Sequence, residues 1–574
     1  MKFRWNIAPA QPLLAEKLAK DLSLTPLLAQ CLINRGFSDP ETITHFLDPK
    51  LKHLADPFLL PNMALAVERL LRARENGELV VIFGDYDVDG VTSTSLLREV
   101  LVKLGWLVEH YLPHRMDEGY GLSRDGVENC VRKYPVKLML AVDCGSTAVE
   151  SIAWLRERGV DTLVLDHHQV SDPPPVAVAI VNPQLTKIGD SKGEFTELCS
   201  VGLAFKLAHA LLKRGREIDM PGAAEFDLRP LLDLVALGTI ADIVPLIGEN
   251  RIFVSTGLDR LNNTTRPGLI ALKEVAQSPA ILTSYDVGFQ LAPRLNAAGR
   301  METAEEALFL LLAPDAEEAM PIAQTLDARN RERQGIERGM AEQAVGAVKA
   351  RFKPETDFVI VEGQLLWHIG VVGIVASRVL QQFYRPTIIF GGDAENWRGS
   401  GRSIAGFDLA AALRECDDLL IRHGGHAMAA GLTIHPSKVD EFRARLNKIA
   451  QRMIKREDLV PPVRIDAEIK LEEISMGRMD QLNRLRPIGQ ANPAVQFAAR
   501  NLTHAKPLQR VGKNLQHVKM WVTDGTATHE CVWWNAGGES LPTGRFDLAF
   551  APTISEFNGR STVQFKVLDW RAAE

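Results

Sequence analysis

Three short apolar runs, at 79–83, 137–142 and 162–165, each carry the chain to an acidic residue: Asp85 after a single glycine, Asp143 and Asp166 directly. Helical patterns follow, from about Val91 and from Ala148. Such alternation predicts parallel strands joined by crossover helices. Ligands of open parallel sheets lie beyond the carboxyl ends of the strands. Three consecutive strands ending in carboxylates therefore constrain architecture and chemistry together: an α/β domain with an acidic ligand-binding end.

The densest element is Asp85-Tyr86-Asp87-Val88-Asp89-Gly90. In extended chain alternate side chains share a face, so three carboxylates can converge. Left uncompensated, they repel and raise one another's pKa. A hard cation relieves the repulsion, and carboxylate oxygen suits Mg²⁺ or Mn²⁺. An EF-hand loop opens the same way but needs a bidentate glutamate at its twelfth position. Counted from Asp85 that residue is Leu96, which rules the loop out. A solvated acidic turn is the other reading of the motif alone.

Asp166-His167-His168 adds imidazole at a strand end. Imidazole favours Mn²⁺ over Mg²⁺. Neighbours in extended chain point oppositely, so one histidine can ligate while the other meets substrate phosphate or a supporting carboxylate. Asp242, in Ala241-Asp242-Ile243-Val244-Pro245, is expected as a fourth strand-end carboxylate, its apolar flanks indicating a paired or ligating group. Two cations on such a set can lower the pKa of a water and clamp the attacking and leaving oxygens of a phosphodiester. Asp143 is the best placed to bridge them.

The formal net charge of −6 argues against a uniformly basic nucleic-acid coat and leaves local basic stripes. One such stripe carries Arg500, Lys506, Arg510, Lys513 and Lys519 with no acidic residue, and Trp521, Trp533 and Trp534 follow closely. The apolar runs around it, and the hairpin signal Asn558-Gly559, predict a small barrel of OB type. Basic track plus aromatic stacking is how such barrels hold single strands. The alternative puts the tryptophans in the core, which is expected for at least one of Trp533 and Trp534 because strand neighbours face opposite ways.

Two glycine-rich stretches, 399–404 (GSGRSI) and 424–431 (GGHAMAAG), let backbone approach a ligand. Within them Arg402, Ser403 and His426 offer phosphate donors; tight turns are the other reading. Neither stretch fits the dinucleotide fingerprint, and no nucleoside-triphosphate loop occurs. Arg294, Asn296 and Arg300, in APRLNAAGR at 292–300, are candidates for contacting a strand backbone, or for helix capping and surface charge. The six cysteines are widely spaced without a C-x-x-C pair, against a zinc or disulfide framework. The first 22 residues hold no secretory apolar core and no run approaches a membrane span, so the chain is expected in the cytoplasm.

DYDVDG, VDCG, DHH and ADIVP resemble, in that order, the four motifs of the DHH phosphoesterase superfamily, and the two glycine-rich stretches resemble the hallmarks of its associated domain. Segments 292–300 and 367–378 are similar to those of the superfamily's single-strand-specific exonucleases, and the resemblance covers nearly the whole chain. It implies ligands for two Mn²⁺ or Mg²⁺ ions at Asp85, Asp87, Asp89, Asp143, His167 and Asp242, with Asp143, His168 and Asp166 in the catalytic set. Phe83 stands where many members carry a histidine, and Asp85 takes over that ligand position. Ala491, before Asn492-Pro493, stands where the family has glycine.

The expected organisation is a helical region over 1–75, a parallel-sheet DHH domain over 76–314, a connecting helix over 315–350, a second α/β DHH-associated domain over 351–455 and an OB-like domain over 463–574. The implied function is a 5′→3′ exonuclease on single-stranded DNA that releases mononucleotides in recombination and repair. The implied partners are single-stranded DNA, a single-strand-binding protein and a helicase, with the chain a monomer. A small-substrate DHH phosphodiesterase and a non-catalytic strand-binding scaffold are the competing readings.

Overall fold

The computed structural model describes residues 3–114, 117–119, 121–188, 195, 197–557 and 559–573. They form two compact units. One comprises Leu13–Asn330 and Leu482–Ala494; the other comprises Met1–Pro12, Arg331–Gln481 and Val495–Glu574.

The first unit is built on five parallel strands in the order Leu107–Tyr111, Leu79–Gly84, Leu138–Val142, Asp161–Leu165 and Ala179–Val181. The strands read as unbroken apolar runs because both faces of the sheet are covered. Val80, Ile82, Leu138, Leu140 and Leu163 face one core, which also holds Leu96 and Leu97 of the Val88–Lys103 helix. Val81, Phe83, Met139, Ala141 and Val164 alternate with them into the other, with Val127 and Ile152 from two crossover helices. From Leu79–Gly84 the chain goes first to the strand on one side and then crosses to Leu138–Val142 on the other. That reversal opens a crevice beyond the carboxyl ends of these two strands, where Asp85 and Asp143 sit.

Three local expectations give way. The 231–244 stretch is not a strand: Leu232–Ala241 is a fully buried helix, and Asp242 is its C-cap. Uniform apolarity cannot separate a buried strand from a buried helix. Within the helical region expected over 1–75, residues 13–32 carry an amphipathic pattern that reads as one helix but forms two, Pro12–Leu22 and Pro26–Ile33, since Pro26 opens the second and the Thr25 side chain caps it. The N-terminal region is also not helical throughout, because Arg4–Ile7 pairs in parallel with Pro462–Ile465.

Leu482–Ala494 belongs with the first unit although its sequence neighbours belong with the second. Arg251, 1% exposed, holds it. The Arg251 guanidinium donates to the carbonyls of Phe46 (2.6 Å), Arg484 (3.2 Å), Leu485 (3.0 Å) and Arg486 (2.7 Å). The buried Asn492 amide donates to Leu485 and Pro487 carbonyls while its oxygen accepts from Arg35 Nε at 2.9 Å.

The second unit contains a mixed five-stranded sheet, in the order Leu420–Gly425, Ala429–Ile434, Trp397–Arg402, Thr387–Gly392 and Ile360–Gly363. Its C-terminal part is a six-stranded sheet in which Phe497–Val511 pairs with both His517–Thr523 and Phe546–Phe557. Of the Asn558-Gly559 pair, Asn558 lies outside the described residues; the strands it separates run antiparallel. Trp533, the last residue of its strand, is buried, and Trp534, in the turn that follows, is 52% exposed. The helix Ala316–Arg351 spans the point at which the division falls. Among the described residues no helix is long and apolar enough to cross a membrane, and all six cysteines are free and buried.

Candidate metal centre

The acidic loop leaves its strand at Gly84 and enters a helix almost at once. Asp87 caps that helix, its Oδ1 accepting from the N–H groups of Asp89 (2.9 Å) and Gly90 (3.1 Å). A side chain on Gly90 would strike the backbone of Asp85, so the return of the chain on itself requires glycine there. Asp89 points the opposite way into the unit, where the N-terminus of Ser200–Glu217 receives it: Ser200 N–H donates to Oδ2 (2.7 Å) and Val201 N–H to Oδ1 (2.8 Å). Anions are stabilised by such free amides.

Asp143 adopts a left-handed backbone, φ 61°, which aspartate tolerates better than most residues. Its Oδ1 accepts from Ser200 Oγ at 2.9 Å. His167 Nε2 lies 3.5 Å from Asp143 Oδ1, 3.5 Å from Asp242 Oδ2 and 3.9 Å from Asp89 Oδ2. Three ligand sets thus overlap: Asp85, Asp87 and Asp143; Asp89, His167 and Asp242; and Asp143, His167 and His168, each with one donor atom per residue within 4.8 Å of the others. Asp143 belongs to two of them, and so does His167.

Asp166 looks away from the ligand sets. It accepts from Ser146 N–H (3.0 Å) and His167 N–H (2.8 Å), and lies 2.8 Å from His168 Nδ1. Asn182 donates to Ser146 Oγ and to the His168 carbonyl, both at 2.8 Å. Asp166 therefore sets the orientation of His168.

Electrostatics agree with this division. Burial pushes the Asp143 carboxyl well up, and the charges of Asp89, Asp87, Asp85 and Asp242 add to it. Burial and the neighbouring Asp89 and Asp87 likewise lift Asp242 to about 9. Asp89 is raised by burial, partly offset by His167. Burial also opposes ionisation of Asp166, yet its hydrogen bond and attraction to His168 hold it below the usual carboxylate range. For His168, burial works against the charge, but Asp166 outweighs it and holds the imidazole up at about 9.

The residues fit divalent cations on two observations. His167 Nε2 and Asp242 Oδ2 are buried with no hydrogen-bond partner among the described residues, a costly arrangement without something to bind. Carboxylates packed until they resist ionisation are what a 2+ charge reverses. Phe83, at the position where many members of the superfamily carry a histidine, is fully buried against Tyr111 and lies under Gly126; Asp85 joins Asp87 and Asp143 instead.

The other singled-out residues stand in different surroundings. Asn296 Oδ1 accepts from Val88 N–H at 3.2 Å, tying helix Ala292–Met301 to the acidic loop, and Gly299 on the same helix gives room to Tyr86. Arg294 pairs with Asp327 (2.9 Å) and donates to the Gln290 carbonyl (2.6 Å), while Arg300 is half-buried at the end of that helix. In the second unit Arg402 donates to Ser400 Oγ (2.8 Å) and the Gly401 carbonyl, with no carboxylate partner among the described residues, and burial lowers its pKa. Ser403 Oγ is committed to the Phe407 carbonyl at 2.7 Å; His426 is exposed in the turn between two strands. In the C-terminal track, Arg500 pairs with Asp547 and Lys519 with Glu530, and Lys506 and Lys519 both lie over Trp521. Sequence reading missed Ser200, Ser146 and Asn182, which carry no motif; only packing between distant segments brings them to Asp89, Asp143 and Asp166.

Three protein-family models match this chain: the DHH family N-terminal domain over residues 79–239, the DHHA1 domain over 356–452 and the RecJ OB domain over 465–569. The single-stranded-DNA-specific exonuclease RecJ of Bacillus subtilis is 37% identical over 579 residues, covering 100% of this chain and 71% of that protein. Its counterpart in Dickeya dadantii is 36% identical over 568 residues, covering 95% and 96%. The crystal structure of RecJ from Thermus thermophilus in complex with Mn²⁺ superposes with a TM-score of 0.84 at 30% identity, covering 100% of this chain and 80% of that one; the same protein with Mg²⁺ gives 0.78.

Proposed function

The chain belongs to the RecJ family of single-stranded-DNA-specific exonucleases, and from that premise we propose how its own residues divide the work. It is a metal-dependent hydrolase of single-stranded DNA that uses Mn²⁺ or Mg²⁺. The observation that carries the residue assignment is the convergence of buried carboxylates on His167, whose Nε2 has no hydrogen-bond partner among the described residues.

Asp85, Asp87 and Asp143 would hold one cation and Asp89, His167 and Asp242 the other, and Asp143, whose Oδ1 lies 3.5 Å from His167 Nε2, would be the carboxylate shared between them. Bound there, the ions supply Lewis acidity and neutralise charge building on a phosphodiester. Ser200 fixes the Asp143 carboxylate and the amides of Ser200 and Val201 fix that of Asp89, so neither ligand must reorganise. His168, kept cationic by Asp166, faces substrate phosphate as a charged donor, and Asp166 is a positioning residue. Asn296 positions the acidic loop through Val88, and Arg294, held in place by Asp327, and Arg300 are the candidates on that helix for a strand contact. Arg402, lacking a carboxylate partner, and the exposed His426 take backbone phosphates; Ser403 shapes the turn that presents them.

Family membership supports 5′→3′ polarity, mononucleotide products and a role in recombination and repair. It also supports action as a cytoplasmic monomer beside a helicase that exposes the strand and a single-strand-binding protein that coats it. The OB domain favours this reading over a small-substrate phosphodiesterase. The deciding experiment uses single-stranded DNA labelled at either end, with Mn²⁺, Mg²⁺ or chelator, and resolves products by length. Mononucleotides released from the 5′ end, with Mn²⁺ at least as effective as Mg²⁺, are expected. Full cleavage after exhaustive chelation, or cleavage of dinucleotides alone, overturns the assignment.

A further inference from the structure

The first unit also has a cationic recess, apart from the acidic metal centre. A cavity of about 690 Å³ opens where the C-terminal half of helix Val88–Lys103 meets the start of Leu232–Ala241 and the segments 260–267 and 311–314. That volume is in the range of small-molecule sites and much larger than a phosphate needs. Four cations, Arg98, Lys103, Arg260 and Arg266, and two acids, Glu99 and Asp233, line it.

The acids are already neutralised. Glu99 pairs with Lys103 at 2.8 Å and Arg266 at 3.0 Å; Asp233 lies 3.5 Å from Arg266 and accepts from Thr264 Oγ1 at 2.8 Å. Among the described residues Arg98 and Arg260 form no ion pair; Arg260 is exposed, whereas Arg98 Nε is buried without a hydrogen-bond partner. A buried donor with no acceptor is an arrangement folded proteins avoid unless something binds. The remaining wall is mixed: Val102, Pro230, Leu311 and Pro314 give it an apolar part, and Asn263, Thr264 and Thr265 a polar one. Two unpaired guanidiniums beside the apolar part of the wall match a molecule that is anionic at one end and flat and apolar at the other.

We propose that this cavity binds a free nucleoside phosphate, with Arg98 and Arg260 on the phosphates and the apolar part of the wall against the base. It is separate from the metal centre. Arg98 follows Asp89 by nine residues on one helix and Asp233 precedes Asp242 by nine at the other, each about 14 Å of helix axis. The two helices are packed tightly: a Cβ on Gly238 would sit 2.4 Å from Thr92 Oγ1. An occupant would therefore bridge the far ends of two elements whose near ends supply Asp87, Asp89 and Asp242, and so would couple to the metal centre.

The test is equilibrium binding of a fluorescent ADP to the full chain in chelator, with unlabelled ADP, inorganic phosphate and a single-stranded oligonucleotide as competitors. Saturable sub-millimolar binding is expected, weakened at least about tenfold by Arg98→Gln with Arg260→Gln, unchanged by Asp143→Asn, and competed by ADP far better than by phosphate. Neither arginine makes a bond that the fold would lose; Val102→Trp, which fills the mouth from a half-exposed position, is a second variant and should also abolish binding. Exonuclease activity without added nucleotide should be unaltered in these variants. No saturable binding, loss on Asp143→Asn but not on the arginine pair, or stronger competition by the oligonucleotide than by ADP each overturns the proposal.

Discussion

Replacing Asp143 by asparagine should make the metal-free protein more stable and the enzyme inactive. Asparagine keeps the shape, tolerates the left-handed backbone at φ 61° and keeps an Oδ1 acceptor for Ser200, so the change is almost purely one of charge. Oxygens of Asp85, Asp87 and Asp143 lie within 4.8 Å of each other. At an effective dielectric of about 20, two full charges at that separation repel by roughly 3.5 kcal/mol. Partial protonation of a carboxyl that already resists ionisation lowers this, leaving an expected gain of about 1–3 kcal/mol in chelator. For a unit of this size that is a rise of roughly 1–4 °C in Tm. Wild type should gain in the other direction: a cation at a hundred times its Kd adds about 2.7 kcal/mol per site. The variant should lose most of that increment, together with cleavage. Thermal unfolding of both proteins, with Mn²⁺ and with chelator, reads all four states. A variant less stable than wild type in chelator, or one that keeps the full Mn²⁺ shift, refutes the reasoning.

Four further outcomes follow from the geometry. Ala491 has a left-handed backbone, φ 60°, where the family has glycine, so Ala491→Gly should stabilise by about 0.5–1 kcal/mol in urea unfolding; destabilisation would show that the backbone strain is not real. Arg251→Met removes a buried guanidinium that donates to the carbonyls of Phe46, Arg484, Leu485, Arg486 and Pro487 and should cost about 3–5 kcal/mol, against which a loss under 1 kcal/mol counts decisively. Asn296→Ala should reduce kcat about tenfold or more with little change in strand affinity, because it loosens the acidic loop and not a strand contact; a pure affinity loss contradicts that role. Arg402→Lys should weaken affinity for long strands by roughly tenfold, since lysine keeps the charge but not the fork, and an unchanged affinity would remove Arg402 from the phosphate contacts.

The parallel sheet and its acidic end are written in the order of the amino acids. Strands buried on both faces appear as unbroken apolar runs, and a carboxylate closing each run can only emerge at the sheet's carboxyl end. Asp85, Asp87, Asp89, Asp143 and the Asp166-His167-His168 triplet were legible for that reason. What stayed ambiguous was anything decided by packing between distant segments. Whether 231–244 was strand or helix turned on whether its surroundings had room for nine buried residues in a helix, so Asp242 could be named but not placed. Ser200, Ser146 and Asn182 come from turns and helix starts with no pattern of their own, and reach Asp89, Asp143 and Asp166 only once the sheet is assembled. The return of Leu482–Ala494 to the first unit depends on Arg251, a charge that sequence statistics assign to the surface. Periodicity records which face of an element is buried, and that is local. Which partner a buried polar group will find is a property of the closed fold, because the cost of leaving it unpaired is felt only after water has been excluded.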